Sequence, residues 1–286
     1  MSAMQRGGID GGSFGGLFAG LAPGVRKACF GLALLGICGL FAFPVLWLML
    51  TSLRPQSGVY YVWKGTEFTL ASYLQVLSDE RLRRAFFNSG LIATVATVLS
   101  ISVTVSSGYM LSRFRGPIAS GWFAAIYVFR CVPYIAWVLP LYFVTQRIGI
   151  YDTYLGLLLP HVAVHICFFS WLMKGFFDGI DPSMEQAALI DGCTRWGAFV
   201  RVALPSAVPA ISALAVLCWL FTWNEFLFAL ILTGQNTPVL TVAMAQFVHE
   251  MGIEWHLMSA TAMLALVPAF VLTLFGQKYV IRGLKL

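Results

Sequence analysis

The chain has 286 residues, 59% of them hydrophobic and 10% charged, against about 45–50% and about 25% in soluble domains. This excludes a soluble enzyme, and at about 20 apolar residues per crossing the length accommodates about six spans. The net charge of +6 would suggest a polyanionic partner in a soluble protein, but here the positives can set membrane orientation, and no nucleic-acid partner is expected.

Residues 1–27 are rich in glycine and end in Arg26-Lys27. They offer little apolar area to offset ordering, so a flexible tail is expected. Uncharged runs follow at 28–50, 87–111, 120–145 (interrupted by Arg130), 153–173, 207–233 (interrupted by Glu225) and 257–275. The first is too long for a signal-peptide core and reads as a retained anchor. Period-2 alternation is absent, and lipid tolerates no open sheet edge, so the six spans read as helices. The expected fold is an all-α, polytopic membrane protein. Pro44, Pro133, Pro140, Pro160 and Pro268 predict kinks or broken turns, because each removes a helix donor. With the N-terminus inside, eleven Lys and Arg fall on the cytoplasmic side and six outside, which places both termini in the cytoplasm. Arg81, Arg83 and Arg84, just before span two, run against that trend. The six cysteines form no C-x-x-C pair, so neither a disulfide framework nor a metal cluster is expected.

The loop 174–206 carries the most informative segment, Asp181-Pro182-Ser183-Met184-Glu185-Gln186-Ala187-Ala188-Leu189-Ile190-Asp191-Gly192, followed by Leu204-Pro205. Asp181 or Ser183 can cap a short helix, Pro182 fits its first turn and Gly192 can end it in the left-handed conformation. Two short helices around a glycine turn are implied. The bare face at Ala187 and Ala188 suits insertion into a groove on another protein. Residues 192–197 have the glycine spacing of a phosphate loop but lack the Lys and Ser or Thr that must follow, so no ATP site is expected.

This segment resembles the EAA signature of ABC-transporter permeases, with the two alanines, the glycine and the Leu-Pro in register. Phe68-Thr69-Leu70, Leu139-Pro140-Leu141-Tyr142, Gly156 to Pro160, Trp223 to Leu227 and Arg282-Gly283-Leu284 look like the second permease of maltose-type carbohydrate importers. The resemblance covers roughly residues 30–284. It implies a coupling role for Glu185, Gln186, Ala187, Ala188, Asp191, Gly192, Leu204 and Pro205. It also implies a second permease, two ATP-binding subunits that hold ATP and Mg, and an extracytoplasmic solute-binding protein as partners, all at the cytoplasmic membrane. Gln186 stands where the family carries its glutamate, and Glu185 lies about 100° round the helix.

Within the spans, Glu225 needs a partner, a cavity or water, and Arg130 can pair with it. Tyr134, Trp137, Trp223 and Asn224 add the aromatic faces and amide that sugar recognition uses. Together these six residues form the expected solute pathway, with a structural hydrogen bond as the alternative for Glu225. His161 and His165, four apart, read as a helix contact or pathway lining. The function expected is an importer permease, itself no enzyme, for a sugar, oligosaccharide or sugar-like solute. A polyamine or phosphonate permease, or an ion-coupled carrier using Glu225, are the rivals.

Overall fold

The computed structural model describes residues 23–55, 68–250 and 252–283. Contacts divide the chain at Leu50–Thr51. Most of helix α1 (Pro23–Ser52) lies before that division, and the helix continues through Pro44. Its start at Pro23 places 23–27 in helix rather than tail, while the rest of the expected tail lies outside the described residues. Among the described residues five helices are long and apolar enough to cross a bilayer, or six when a bent pair counts as one span.

The second unit is organised on α3 (Glu80–Arg113) and α6 (Tyr154–Asp178). Asp79 caps α3 by accepting from the amides of Arg81 and Leu82, and Thr153 caps α6 by accepting from that of Gly156. Tyr154 donates to Asn88 at 2.8 Å, Ser100 meets His165 at 3.2 Å, and Ser112 donates to Asp178 at 2.6 Å. These pairs are 66, 65 and 66 residues apart, so the two helices run parallel in constant register. Small residues let their backbones approach, as in other membrane helix pairs. A Cβ on Gly108 would lie 2.5 Å from that of Met173.

Pro133 produces the expected break. α4 (Pro117–Cys131) and α5 (Tyr134–Arg147) meet at 102°, so 120–145 is a bent pair and not a straight span. Pro140, Pro160 and Pro268 stay inside helices. A second break was not expected. The run 207–233 is interrupted after α9 (Leu204–Trp223) and resumes as the single-turn α10 (Leu227–Leu232).

The segment between α6 and α9 is shorter than the expected 174–206, because α6 continues to Asp178. After α7 (Ser183–Ile190), α8 (Arg195–Ala198) passes through a π turn at Phe199–Ala203 directly into α9. The expected second short helix is therefore the first part of the next span. The wider turn comes immediately before Pro205, which has no N–H to close an α turn.

At the opposite end of α3, a short helix α2 (Ala71–Ser78), helix α11 (Leu240–Ala245) and a two-residue hairpin, β1 (Val248–His249) with β2 (Gly252–Ile253), precede α12 (Trp255–Gly283). Asp152 fastens this end. Buried, with φ of 55°, it accepts from the amides of Gly234, Asn236 and Thr237 and from the Thr237 hydroxyl, at 2.7–3.0 Å. Asn88 donates to the Pro238 carbonyl, and the Leu240 amide donates to Ser89. The 233–240 connection is thus tied to α3 and to the start of α6.

Candidate coupling segment and intramembrane cleft

Asp181 begins the α7 segment by accepting from the Ser183 amide at 2.9 Å. Gly192 ends it with φ of +89°, and a Cβ there would meet nothing within 4 Å. The requirement for glycine at 192 is conformational rather than spatial. Gln186, Ala187, Asp191 and Gly192 are exposed, Ala188 is half-buried, and Met184, Ile190 and Trp196 add exposed apolar surface. Leu204 is half-buried and Pro205 exposed, beyond the π turn.

Glu185 departs from its expected role as a contact. It is buried, accepting from Arg113 Nε at 2.9 Å and from the Tyr109 hydroxyl at 2.7 Å. Arg113 also donates to the Ile180 carbonyl. The one-residue offset that placed Glu185 about 100° from Gln186 turns its carboxylate inward, where it anchors α7 to the last turn of α3. Phe177 and Phe199 pack against the Tyr109 ring, and the Arg113 and Glu185 side chains are themselves largely buried.

Deeper in the bundle, Tyr134, His161, His165, Phe168, Phe221, Glu225 and Phe228 line a cleft of about 40 Å³. Glu225 sits in the break between α9 and α10. The Asn224 amide donates to the Leu220 carbonyl at the end of α9, while the Glu225 carboxylate accepts from the amides of Phe228 and Ala229 at the start of α10. Trp-Asn-Glu-Phe is thus a stop and restart of the helix. Thr241 donates to the Glu225 carbonyl and fixes the break against the following segment.

The expected ion pair with Arg130 is not made. The Arg130 guanidinium lies 4.9 Å from the ring centre of Phe168 and 4.5 Å from that of Trp171, a cation–π arrangement that satisfies it in an apolar setting. The His161 ring approaches Glu225 instead, with Nε2 3.8 Å from the carboxylate. Trp137 stacks on Phe129, and Trp223 is buried on Trp219. The structure therefore joins Tyr134 and Glu225 in one cleft and leaves Arg130 beside it. Trp223 lines a second recess behind Glu225, and Trp137 and Asn224 fall outside the lining. The i, i+4 spacing of His161 and His165 puts both in the cleft lining, and His165 also meets Ser100 of α3.

The membrane-length helices, with a bent third span and an exposed helix held between two spans, define a multi-pass membrane protein. The chain belongs to the family of binding-protein-dependent transport system inner membrane components, whose model matches residues 101–286. It is a multi-pass permease subunit of an ABC importer. It is 33% identical to the probable ABC transporter permease protein y4oR of Sinorhizobium fredii, over 91% of this chain and 94% of that one. It is 28% identical to the sulfoquinovosyl glycerol transport system permease protein SmoH of Agrobacterium fabrum, over 85% and 86%. A bacterial ABC transporter involved in import of the acidic polysaccharide alginate contains a chain of the same fold, with TM-score 0.74, 21% identity and coverage of 91% and 98%.

Proposed function

We propose that this permease moves a sugar, oligosaccharide or sugar-like solute. It works with a second permease, two ATP-binding subunits that hold ATP and Mg, and an extracytoplasmic solute-binding protein, and it does no chemistry itself. α7 and both termini face the cytoplasm. Relatives named for sulfoquinovosyl glycerol, arabinooligosaccharides and trehalose support the substrate class.

The observation that carries the reading is the attachment of α7. Its outer face is free for a groove on the ATP-binding subunit, while the buried Glu185 clamps it to Arg113 and Tyr109 of α3. α3 is locked in register to α6, which carries five of the cleft residues, His161, Val164, His165, Phe168 and Phe169. A displacement of α7 on ATP binding therefore moves α3 and α6 as one body and reshapes the cleft, a rigid-element route to alternating access.

The test is uptake by vesicles containing the reconstituted complex, with loaded binding protein outside, ATP inside and ion gradients collapsed. Uptake of a carbohydrate that requires ATP and survives loss of the proton gradient is expected. Uptake without ATP, or uptake lost with the proton gradient while ATP remains, would assign the protein to the ion-coupled carriers.

A further inference from the structure

We infer that His161 and Glu225 form a subsite that receives a hydroxyl group of the transported solute, a deepening that rests on the carbohydrate reading above. His161 Nδ1 lies 2.7 Å from the Leu157 carbonyl. A carbonyl only accepts, so Nδ1 carries a proton, and in the neutral ring Nε2 is left as an acceptor. The ring is 4% exposed, and Nε2 has no hydrogen-bond partner among the described residues. Its nearest charged neighbour, Glu225 Oε2, is 3.8 Å away, too far for a hydrogen bond. The carboxylate already accepts two backbone amides and retains unused lone pairs. Two acceptors thus face one opening, and what the site lacks is a donor.

The shape and surroundings select among donors. At about 40 Å³, against about 10–15 Å³ on the same measure for one water, the cleft holds a group of about three heavy atoms. It accepts a hydroxyl or hydroxymethyl edge and leaves the body of the solute outside. Tyr134, Phe168, Phe221 and Phe228 supply apolar walls for the C–H bonds beside such a group. An anion meets the Glu225 carboxylate. A cation meets the Arg130 guanidinium, already seated on Phe168, and a quaternary ammonium has no N–H to give. Behind the pair, a recess of about 10 Å³ contains the buried Thr222 hydroxyl, also without a partner among the described residues. It extends the polar floor without room for more than a water.

The experiment uses the assembled complex carrying Val164→Cys, a position that lines the cleft. Maleimide labelling of that cysteine is followed by peptide mass spectrometry, with D-glucose, trehalose, fully O-methylated trehalose, choline or sodium glucuronate as probes. Glucose or trehalose should slow labelling at least threefold in a saturable manner. The O-methylated sugar, choline and glucuronate should not. Protection should disappear in His161→Phe and persist in His161→Gln, which keeps an acceptor.

Absence of protection by either sugar, meaning a bound water only, overturns the proposal. Equal protection by O-methylated trehalose, protection by choline or glucuronate, or protection unchanged in His161→Phe also overturns it. The O-methylated comparison needs no substitution at His161, so it decides the matter even where that variant fails to assemble. ATP-driven carbohydrate uptake without cleft protection would remove this subsite and leave the carbohydrate reading standing. ATP-driven uptake of choline in place of any sugar would remove both.

Discussion

Arg113, in the last turn of α3, donates its Nε to the buried carboxylate of Glu185 at 2.9 Å, so α7, the helix proposed to dock the ATP-binding subunit, is fixed from within by a charge pair. Tyr109 completes the arrangement by donating its hydroxyl to the same carboxylate, and Phe177 and Phe199 pack against its ring. Removing one partner of such a pair leaves the other charge buried, at a cost of about 3–5 kcal/mol. Glu185→Ala should therefore loosen α7 and reduce solute-stimulated ATP hydrolysis more than it reduces binding-protein affinity for solute. Glu185→Gln, which can still accept from Tyr109 or Arg113, should fall between. Equal coupling in Glu185→Ala and the parent complex would show that α7 is held by other contacts.

Gly192 tests the same segment from its other end. With φ of +89° and open space around its Cβ direction, a substitution there is opposed by backbone strain of about 1–2 kcal/mol and not by a clash. Gly192→Val, whose branched side chain opposes the left-handed region, should insert and assemble but lose most transport, and Gly192→Asn, whose side chain tolerates that region, should retain more. Co-purification of the ATP-binding subunit with each variant checks this. Two variants that behave alike would mean the turn does not set the docking geometry.

The contrast between Pro133 and Glu225 explains what was legible in the sequence. A proline removes a donor wherever it stands, which marked Pro133 as a candidate break but did not separate it from Pro44, Pro140, Pro160 and Pro268, where the helix continues. The break at Asn224–Phe226 depends on the Asn224 side chain reaching back to Leu220 and the Glu225 carboxylate reaching forward to Phe228 and Ala229. In the apolar run the glutamate read only as a charge in need of a counter-ion. The α7 segment was legible because its spacing is local, but the inward direction of Glu185 depends on Arg113, 72 residues away. Asp152 offered no local pattern at all, since its four donors lie on residues 82–85 positions further on.

The parallel register of α3 and α6 makes a prediction about sidedness. Both helices start at the end fastened by Asp152 and finish at the end that holds α7. At 34 residues, α3 spans about 51 Å, enough to separate the two ends across a bilayer. A cysteine at Ser183 should react with an impermeant maleimide only from the cytoplasm, and one at Gln235 only from outside. Labelling of both from the same side would contradict the register, and a reversed pattern would invert the proposed orientation.

The final prediction concerns Asp152 and acid. Burial alone would raise its carboxyl pKa, but hydrogen bonds from the Asn236 amide, the Thr237 hydroxyl and the amides of Gly234 and Thr237 outweigh it and hold the group below the usual carboxylate range. In the unfolded chain an aspartate titrates near about 3.9. A folded-state pKa lower than this means the charged form stabilises the native connection, fully so above that unfolded value, with the contribution lost as pH falls through the folded pKa. Asp152→Asn isolates the charge, because asparagine also tolerates the left-handed backbone that Asp152 adopts. Leaving buried amides poorly matched costs about 1–3 kcal/mol. The variant should lower the thermal midpoint of the detergent-solubilised complex by a constant amount between about pH 5 and pH 8. The gap between variant and parent should then narrow as both are acidified below the unfolded value. A gap that widens in acid, or that is absent at neutral pH, would mean the carboxylate does not hold the 233–240 connection in place.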